Sequence, residues 1–240
     1  MKKLLLFCLF SLPIFAFAQS NSSVDIMLSP DVTYRVRQYE TPEVYGFTTK
    51  LIDSVEKPQL SYHVGVNFNR RLTSKIHFKT GLQIAKLAYT ILNTNITWGS
   101  QNNNGNFQPS ADPEGLVSVR SLTYVNVPIA VRYEFSDKKI APFVELGFVP
   151  MYSVANNVKT VDRNGADVFD KPLSNFTNFA VMLHWSLGLN YRINDEWQAF
   201  FQPTIRYELT QSNSFSYAFF GSFKEHNYSI GTEFGLRMSL

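Results

Sequence analysis

Two polar side chains give the sequence its best case for chemistry. His184 and Ser186 flank Trp185, and residues two apart on a strand project from one face. An imidazole and a hydroxyl would then stand side by side. With a carboxylate to orient the imidazole, such a pair could support acyl transfer. The plainer reading is a polar pair packed inside the protein. A second candidate is Asp162-Arg163-Asn164-Gly165-Ala166-Asp167 with Asp170, which has the look of a calcium loop. Its glycine stands fourth where an EF-hand loop needs it sixth, so a simple Asn164-Gly165 turn explains it better. The chain has no glycine-rich phosphate loop, no His-Glu-x-x-His and no Gly-x-Ser-x-Gly. No residue is therefore assigned as catalytic, cofactor-binding or metal-ligating.

The one cysteine, Cys8, lies in an N-terminal segment that reads as an export signal. Lys2 and Lys3 precede an apolar run from Leu4 to Phe17, broken by Ser11 and Pro13, and Ala16-Phe17-Ala18 supplies a small-x-small cleavage pattern. The run falls short of the roughly 20 residues that a spanning helix needs. Residues 1–18 are expected to be a cleaved signal peptide and residues 19–240 the functional domain. A lipid anchor on Cys8 is discounted, because almost no apolar signal precedes it. Without Cys8, disulfides, thiolate nucleophiles and cysteine-ligated metals are excluded. Loss of Lys2 and Lys3 lowers the formal charge from +3 to +1, and with no basic run nothing points to nucleic acid. Aromatic residues make up 15% of the chain at a mean hydropathy of −0.12. That combination suits a membrane barrel, in which only alternate residues meet lipid.

The elements that must carry these side chains alternate apolar and polar with period two in eight places. Val32, Tyr34 and Val36 mark the first, with Pro30 expected to interrupt its start. Leu60, Tyr62, Val64, Val66 and Phe68 mark the second; Ile76, Phe78, Leu82 and Ile84 the third; Val125, Val127, Ile129, Val131 and Tyr133 the fourth. Ile140, Val144, Leu146 and Phe148 mark the fifth, and Phe179, Val181, Leu183, Trp185, Leu187, Leu189 and Tyr191 the sixth. Trp197, Phe201, Ile205, Tyr207 and Leu209 mark the seventh, and Tyr228, Ile230, Phe234, Leu236, Met238 and Leu240 the eighth. The segments run about nine to sixteen residues, long enough for the 9–11 tilted residues that cross a bilayer. Short turns at 72–75, 136–139 and 194–196 alternate with long polar connections near 38–57, 88–118, 155–176 and 211–226. Short turns at one end and long loops at the other form the outer-membrane pattern. The expected fold is all-β: an eight-stranded antiparallel up-and-down transmembrane barrel with both termini periplasmic. Eight strands leave an interior that side chains can fill.

By alternation, Arg35, Lys79, Arg132, Glu134, Glu145, Arg192, Arg206, Glu208, Glu233 and Arg237 face the lumen, as do His184 and Ser186, while Trp185 takes the lipid side. A lipid-facing Arg or Lys near the midplane would cost about 2–4 kcal/mol. A polar plug that holds the register is preferred over an ion path. Aromatic belts are expected at both ends: Phe68, Phe78, Tyr133, Tyr191 and Trp197 near the short turns; Tyr34, Tyr62, Tyr152, Phe179 and Tyr207 near the loops. In the last loop, Phe215, Tyr217, Phe219, Phe220 and Phe223 either extend the strands beyond the membrane or contact a partner or lipopolysaccharide.

Tyr124-Val125-Asn126-Val127-Pro128-Ile129, Ala141-Pro142-Phe143-Val144-Glu145-Leu146-Gly147 and Arg206-Tyr207-Glu208-Leu209-Thr210 resemble the PorT-like outer-membrane β-barrel family of the Bacteroidota. The resemblance covers the mature chain and departs at its last residue, Leu240, where such barrels often carry an aromatic. It implies an outer-membrane barrel of a Gram-negative bacterium and brings no catalytic motif. The expected function is non-enzymatic, in a structural, adhesive or secretion-accessory role. Expected partners are outer-membrane lipid and lipopolysaccharide, the barrel-assembly machinery, and secretion-system or surface proteins. Two alternatives stay open: a lipid A acyl hydrolase using His184 and Ser186, which would look similar to lipid A deacylases, and a narrow-channel ligand transporter.

Overall fold

The computed structural model describes residues 22–39, 56–93, 99–101, 107–109, 116–161, 166–172, 178–210, 213–217 and 221–240. In chain order the strands are β1 (Ser22–Tyr39), β2 (Glu56–Arg71), β3 (Ile76–Asn93), β4 (Gly99–Gln101), β5 (Phe107–Pro109), β6 (Leu116–Asn126), β7 (Ile129–Glu134), β8 (Ile140–Val161), β9 (Asp167–Pro172), β10 (Phe179–Arg192), β11 (Trp197–Glu208), β12 (Asn213–Tyr217) and β13 (Gly221–Ser239). The expected signal segment, with Cys8, lies outside the described residues.

Eight antiparallel staves close into a ring: β1, β2, β3, β6 with β7, β8, β10, β11 and β13, which returns to β1. β6 and β7 are one stave, since the pairing Asn126↔Met151 continues as Ile129↔Phe148 without a shift. Pro128, which has no N–H to donate, interrupts that ladder between β6 and β7, although the Val127 amide still reaches the Pro150 carbonyl at 2.9 Å, and a bulge shifts the β6–β8 register at Thr123–Tyr124. Closure removes the edges that hydrocarbon could not satisfy. Three short turns pin the same end of the ring, each held by a side-chain oxygen that accepts backbone amides two or three residues on. Thr73 Oγ1 takes the Ile76 amide at 3.0 Å, Ser136 Oγ the Lys138 amide at 3.1 Å, and Asn194 Oδ1 the Trp197 amide at 2.7 Å.

Two expectations about strand extent need correction. Pro30 does not interrupt β1: Pro30 pairs in register with Tyr62, and the β1–β13 register is the same on either side of it. Strands also run longer than sixteen residues, with β8 spanning 22. Much of the chain read as long connections is therefore strand, and β9 and β12 add further pairing there to β8 and β13. In the last loop the strand-extension reading holds for the backbone of Phe215 and Tyr217, which pair with Phe223 and Gly221. Phe219 and Phe220 lie outside the described residues.

Ile26, Leu60, Leu82, Leu146, Phe201 and Ile230 belong to apolar rows exposed on the outer wall, far more than a water-soluble surface tolerates. The expected belts lie on this face, and at the loop end the Tyr34 and Tyr228 rings meet edge-on at 5.7 Å. Inside, the filling is not purely polar. Ala85, Leu87, Tyr89, Leu122, Tyr124, Val149, Met151, Ala180 and Met182 form a buried apolar cluster from β3, β6, β8 and β10. On β3 the pattern inverts in phase: Leu82 and Ile84 face out while Lys79 and Gln83 face in, then Lys86 faces out while Leu87 and Tyr89 face in.

Candidate functional site

The wall places nine of the ten lumen-assigned charges in the buried interior: Arg35, Lys79, Arg132, Glu134, Glu145, Arg206, Glu208, Glu233 and Arg237. Arg192, at the end of β10, is exposed at the turn-end mouth. The central layer is built on Glu145, which stands opposite Arg132 across β7 and β8 and opposite Ser186 across β8 and β10. Arg132 Nε donates to Glu145 Oε2 at 2.8 Å and Lys79 Nζ to Glu145 Oε1 at 2.8 Å. Lys79 Nζ also donates to Glu233 Oε1 at 2.9 Å, and Arg206 bridges Glu233 Oε2 at 3.1 Å to Asp31 Oδ2 at 2.6 Å. Three cations and three carboxylates thus alternate across the bore. Asp31 also accepts from Ser29 at 2.6 Å and Ser229 at 3.1 Å. The neighbouring Gly231 leaves room for it, since a Cβ there would collide with the Asp31 carboxylate.

Aromatic faces pack this layer. The Arg132 guanidinium lies 4.0 Å over the Phe143 ring and 5.7 Å from that of Phe200, an attraction that grows once both partners are dry. Toward the turns, Arg237 forks onto Asp25 at 2.7 and 3.1 Å and reaches Glu134 at 3.4 Å. Toward the loops, Arg35 forks onto Glu56 at 2.6 and 2.7 Å, donates to Glu225 at 2.5 Å and to the Tyr89 hydroxyl at 3.0 Å. A dry charge survives only with such pairing.

His184 and Ser186 belong to this plug. Both are buried, while Trp185 faces outward. His184 Nε2 lies 3.0 Å from Glu145 Oε1, a carboxylate already held by Lys79 and Arg132. Ser186 Oγ has no hydrogen-bond partner among the described residues, so the base-to-nucleophile link that acyl transfer needs is not formed. In the calcium-like segment, residues 162–165 lie outside the described residues. Asp167 is engaged by Lys159 at 2.9 Å, and among the described residues no three His, Cys, Asp or Glu cluster as metal ligands.

Four carboxylates of the network escaped the sequence reading: Asp25, Asp31, Glu56 and Glu225. The first two become visible once alternation is carried through Pro30, which puts Asp25, Met27, Ser29, Asp31, Thr33 and Arg35 on one face. Glu56 and Glu225 lay in segments read as loops.

A family model described as "Outer membrane protein beta-barrel domain" matches residues 17–216. No curated protein matches the chain. Among solved structures, Neisserial surface protein A is similar at 9% identity over 92% of this chain and 98% of that one, with a TM-score of 0.41. The outer membrane protease OmpT from Escherichia coli is similar at 10% identity over 93% and 98%, with a TM-score of 0.48. OprG from Pseudomonas aeruginosa is similar at 10% identity over 92% and 97%, with a TM-score of 0.41. Likenesses this distant assign neither an activity nor a ligand.

Proposed function

We propose a non-enzymatic role for this protein from one premise: the chain belongs to the outer membrane protein beta-barrel domain family. It acts as an integral outer-membrane barrel with a side-chain-filled lumen, in a structural, adhesive or secretion-accessory capacity. One observation carries this reading. The Lys79, Arg132, Arg206, Glu145, Glu233 and Asp31 layer spans the bore with all its charges paired. The space left among Lys79, Glu145, His184, Arg206 and Glu233 is about 10 Å³, about one water. Ions have no comparable path through such a layer, and lipid A has no approach to His184 or Ser186. The short-turn end, where the Leu240 amide meets the Ser22 carbonyl at 2.9 Å, is taken as periplasmic, and the long loops as the outward face. Lipopolysaccharide is then the surrounding lipid at the loop end, and the barrel-assembly machinery the partner in insertion.

Two measurements test the proposal. In planar bilayers the purified protein should give no stepwise conductance, and regular open steps would favour a ligand or ion transporter. Mass spectrometry of lipid A should give one acyl pattern for cells carrying wild type, His184→Ala or no protein. An acyl chain lost with wild type and retained with the variant would make the protein an acyl hydrolase.

A further inference from the structure

At the turn end the lumen opens into a vestibule of about 280 Å³. Its charge is lopsided. Arg71, Lys138, Lys139, Arg192 and Arg237 line it against Glu134 and Asp195, a formal excess of +3. The chain carries +3 with Lys2 and Lys3 counted and +1 without them, so the rest of the molecule sums to zero or to −2, and the positive excess is gathered at this mouth. Arg71, Lys138, Lys139 and Arg192 are exposed around the rim, with Lys139 lying 5.3 Å over the Tyr191 ring. Arg237, deeper, is committed to Asp25 and Glu134.

The floor carries buried polar atoms that the protein leaves unused. Asn190 is 3% exposed; its Nδ2 donates to Glu134 Oε1 at 2.6 Å, yet its Oδ1 has no partner among the described residues. His77 is 6% exposed, and its Nε2 stops 3.6 Å short of Glu134 Oε2, too far for a hydrogen bond. Buried polar groups without partners are rare enough to need an explanation. Here an acceptor and an imidazole nitrogen sit beneath a cationic rim. His77, Asn190 and Glu134 point into the bore, away from the outer wall, so a lipid headgroup cannot reach the floor.

We infer that the vestibule binds a small soluble anion that also carries a hydroxyl, a hydroxycarboxylate or a sugar phosphate. The acid groups meet Arg71, Arg192 and the two lysines, as charge-assisted hydrogen bonds favour. The hydroxyl donates to Asn190 Oδ1 and stands within reach of His77.

Citrate and tricarballylate, which share three carboxylates and differ by one hydroxyl, test both parts by calorimetry on the detergent-purified full chain at low salt. Citrate should bind saturably, several-fold tighter than tricarballylate, and an Arg71→Glu/Arg192→Glu variant should weaken it about tenfold or more, the scale of a lost charge-assisted contact. Both arginines are exposed, so the variant should keep the heat-modifiable gel mobility of a folded barrel. Should it not, Lys138→Glu/Lys139→Glu makes the same test. No saturable heat, or citrate binding unchanged in the folded variant, overturns the site. Equal affinity for the two acids overturns the hydroxyl contact at Asn190.

Discussion

Within one lumen, the charged layer around Glu145 and the apolar cluster around Leu87 and Leu122 solve opposite problems. Beside the charged layer the outer wall carries Leu82, Leu146, Trp185 and Ile205, all exposed on that face. Hydrocarbon covers those rows, so the interior there can be given over to ion pairs. Beside the apolar cluster, β3 and β6 turn Lys86, Ser121 and Thr123 outward. On those two strands the wall turns polar and the inside supplies the hydrophobic burial, while β8 and β10 beside the same cluster keep Phe148, Tyr152 and Phe179 exposed on the outer wall. Between Ile84 and Leu87 the apolar residues of β3 pass from the outer face to the inner one, the change expected where a strand leaves hydrocarbon. The change of filling inside is thus matched by a polar outer wall on β3 and β6 alone, and the apolar row continues on β8 and β10.

The largest expected effect strikes the charged layer. Glu145→Leu strips Arg132 of its carboxylate and leaves Lys79 with Glu233 alone in a dry interior, and should cost about 3–5 kcal/mol, read as a lower urea midpoint for refolding into lipid vesicles. Little loss would mean that water, and not ion pairing, fills that level. Next comes the outer wall. Leu82→Lys should cost about 2–4 kcal/mol near the midplane, in vesicles and on the same urea curve. Leu122→Ala in the apolar cluster should cost about 2–3 kcal/mol, toward the lower end for a core leucine, and the loss should not change with salt. A strongly salt-dependent loss would place Leu122 within the charged network. The smallest effect is the sharpest test of the boundary. Lys86→Leu should change stability by less than about 0.5 kcal/mol, whereas a gain as large as the loss at Leu82 would put residue 86 inside the hydrocarbon.

Most of the barrel was legible because lipid imposes one rule on every stave: alternate residues must be apolar. Leu60 to Phe68 and Phe179 to Tyr191 obey it without a break, and both strands fall where alternation puts them. The rule stops at the membrane boundary. Past Ile84 the apolar residues move to the other face, so a reading that follows the outer row alone ends β3 too early and takes the rest for a loop. Pro30 misled for a different reason. A missing N–H weakens one rung, but the paired register on both flanks keeps β1 straight. The plug was legible as a set of inward charges. Its pairing was not, because Asp31 with Arg206 and Asp25 with Arg237 join residues at opposite ends of the sequence.

That distance governs how the molecule must fold. Asp25 and Arg237 are 212 positions apart, and the β1–β13 seam joins the first and last of the described strands. Local hairpins can form early around Thr73, Ser136 and Asn194, but the seam cannot zip until nearly every intervening residue is in place. High contact order of this kind makes folding slow. Until the seam closes, β1 and β13 each present an unpaired edge, the template on which wayward chains aggregate.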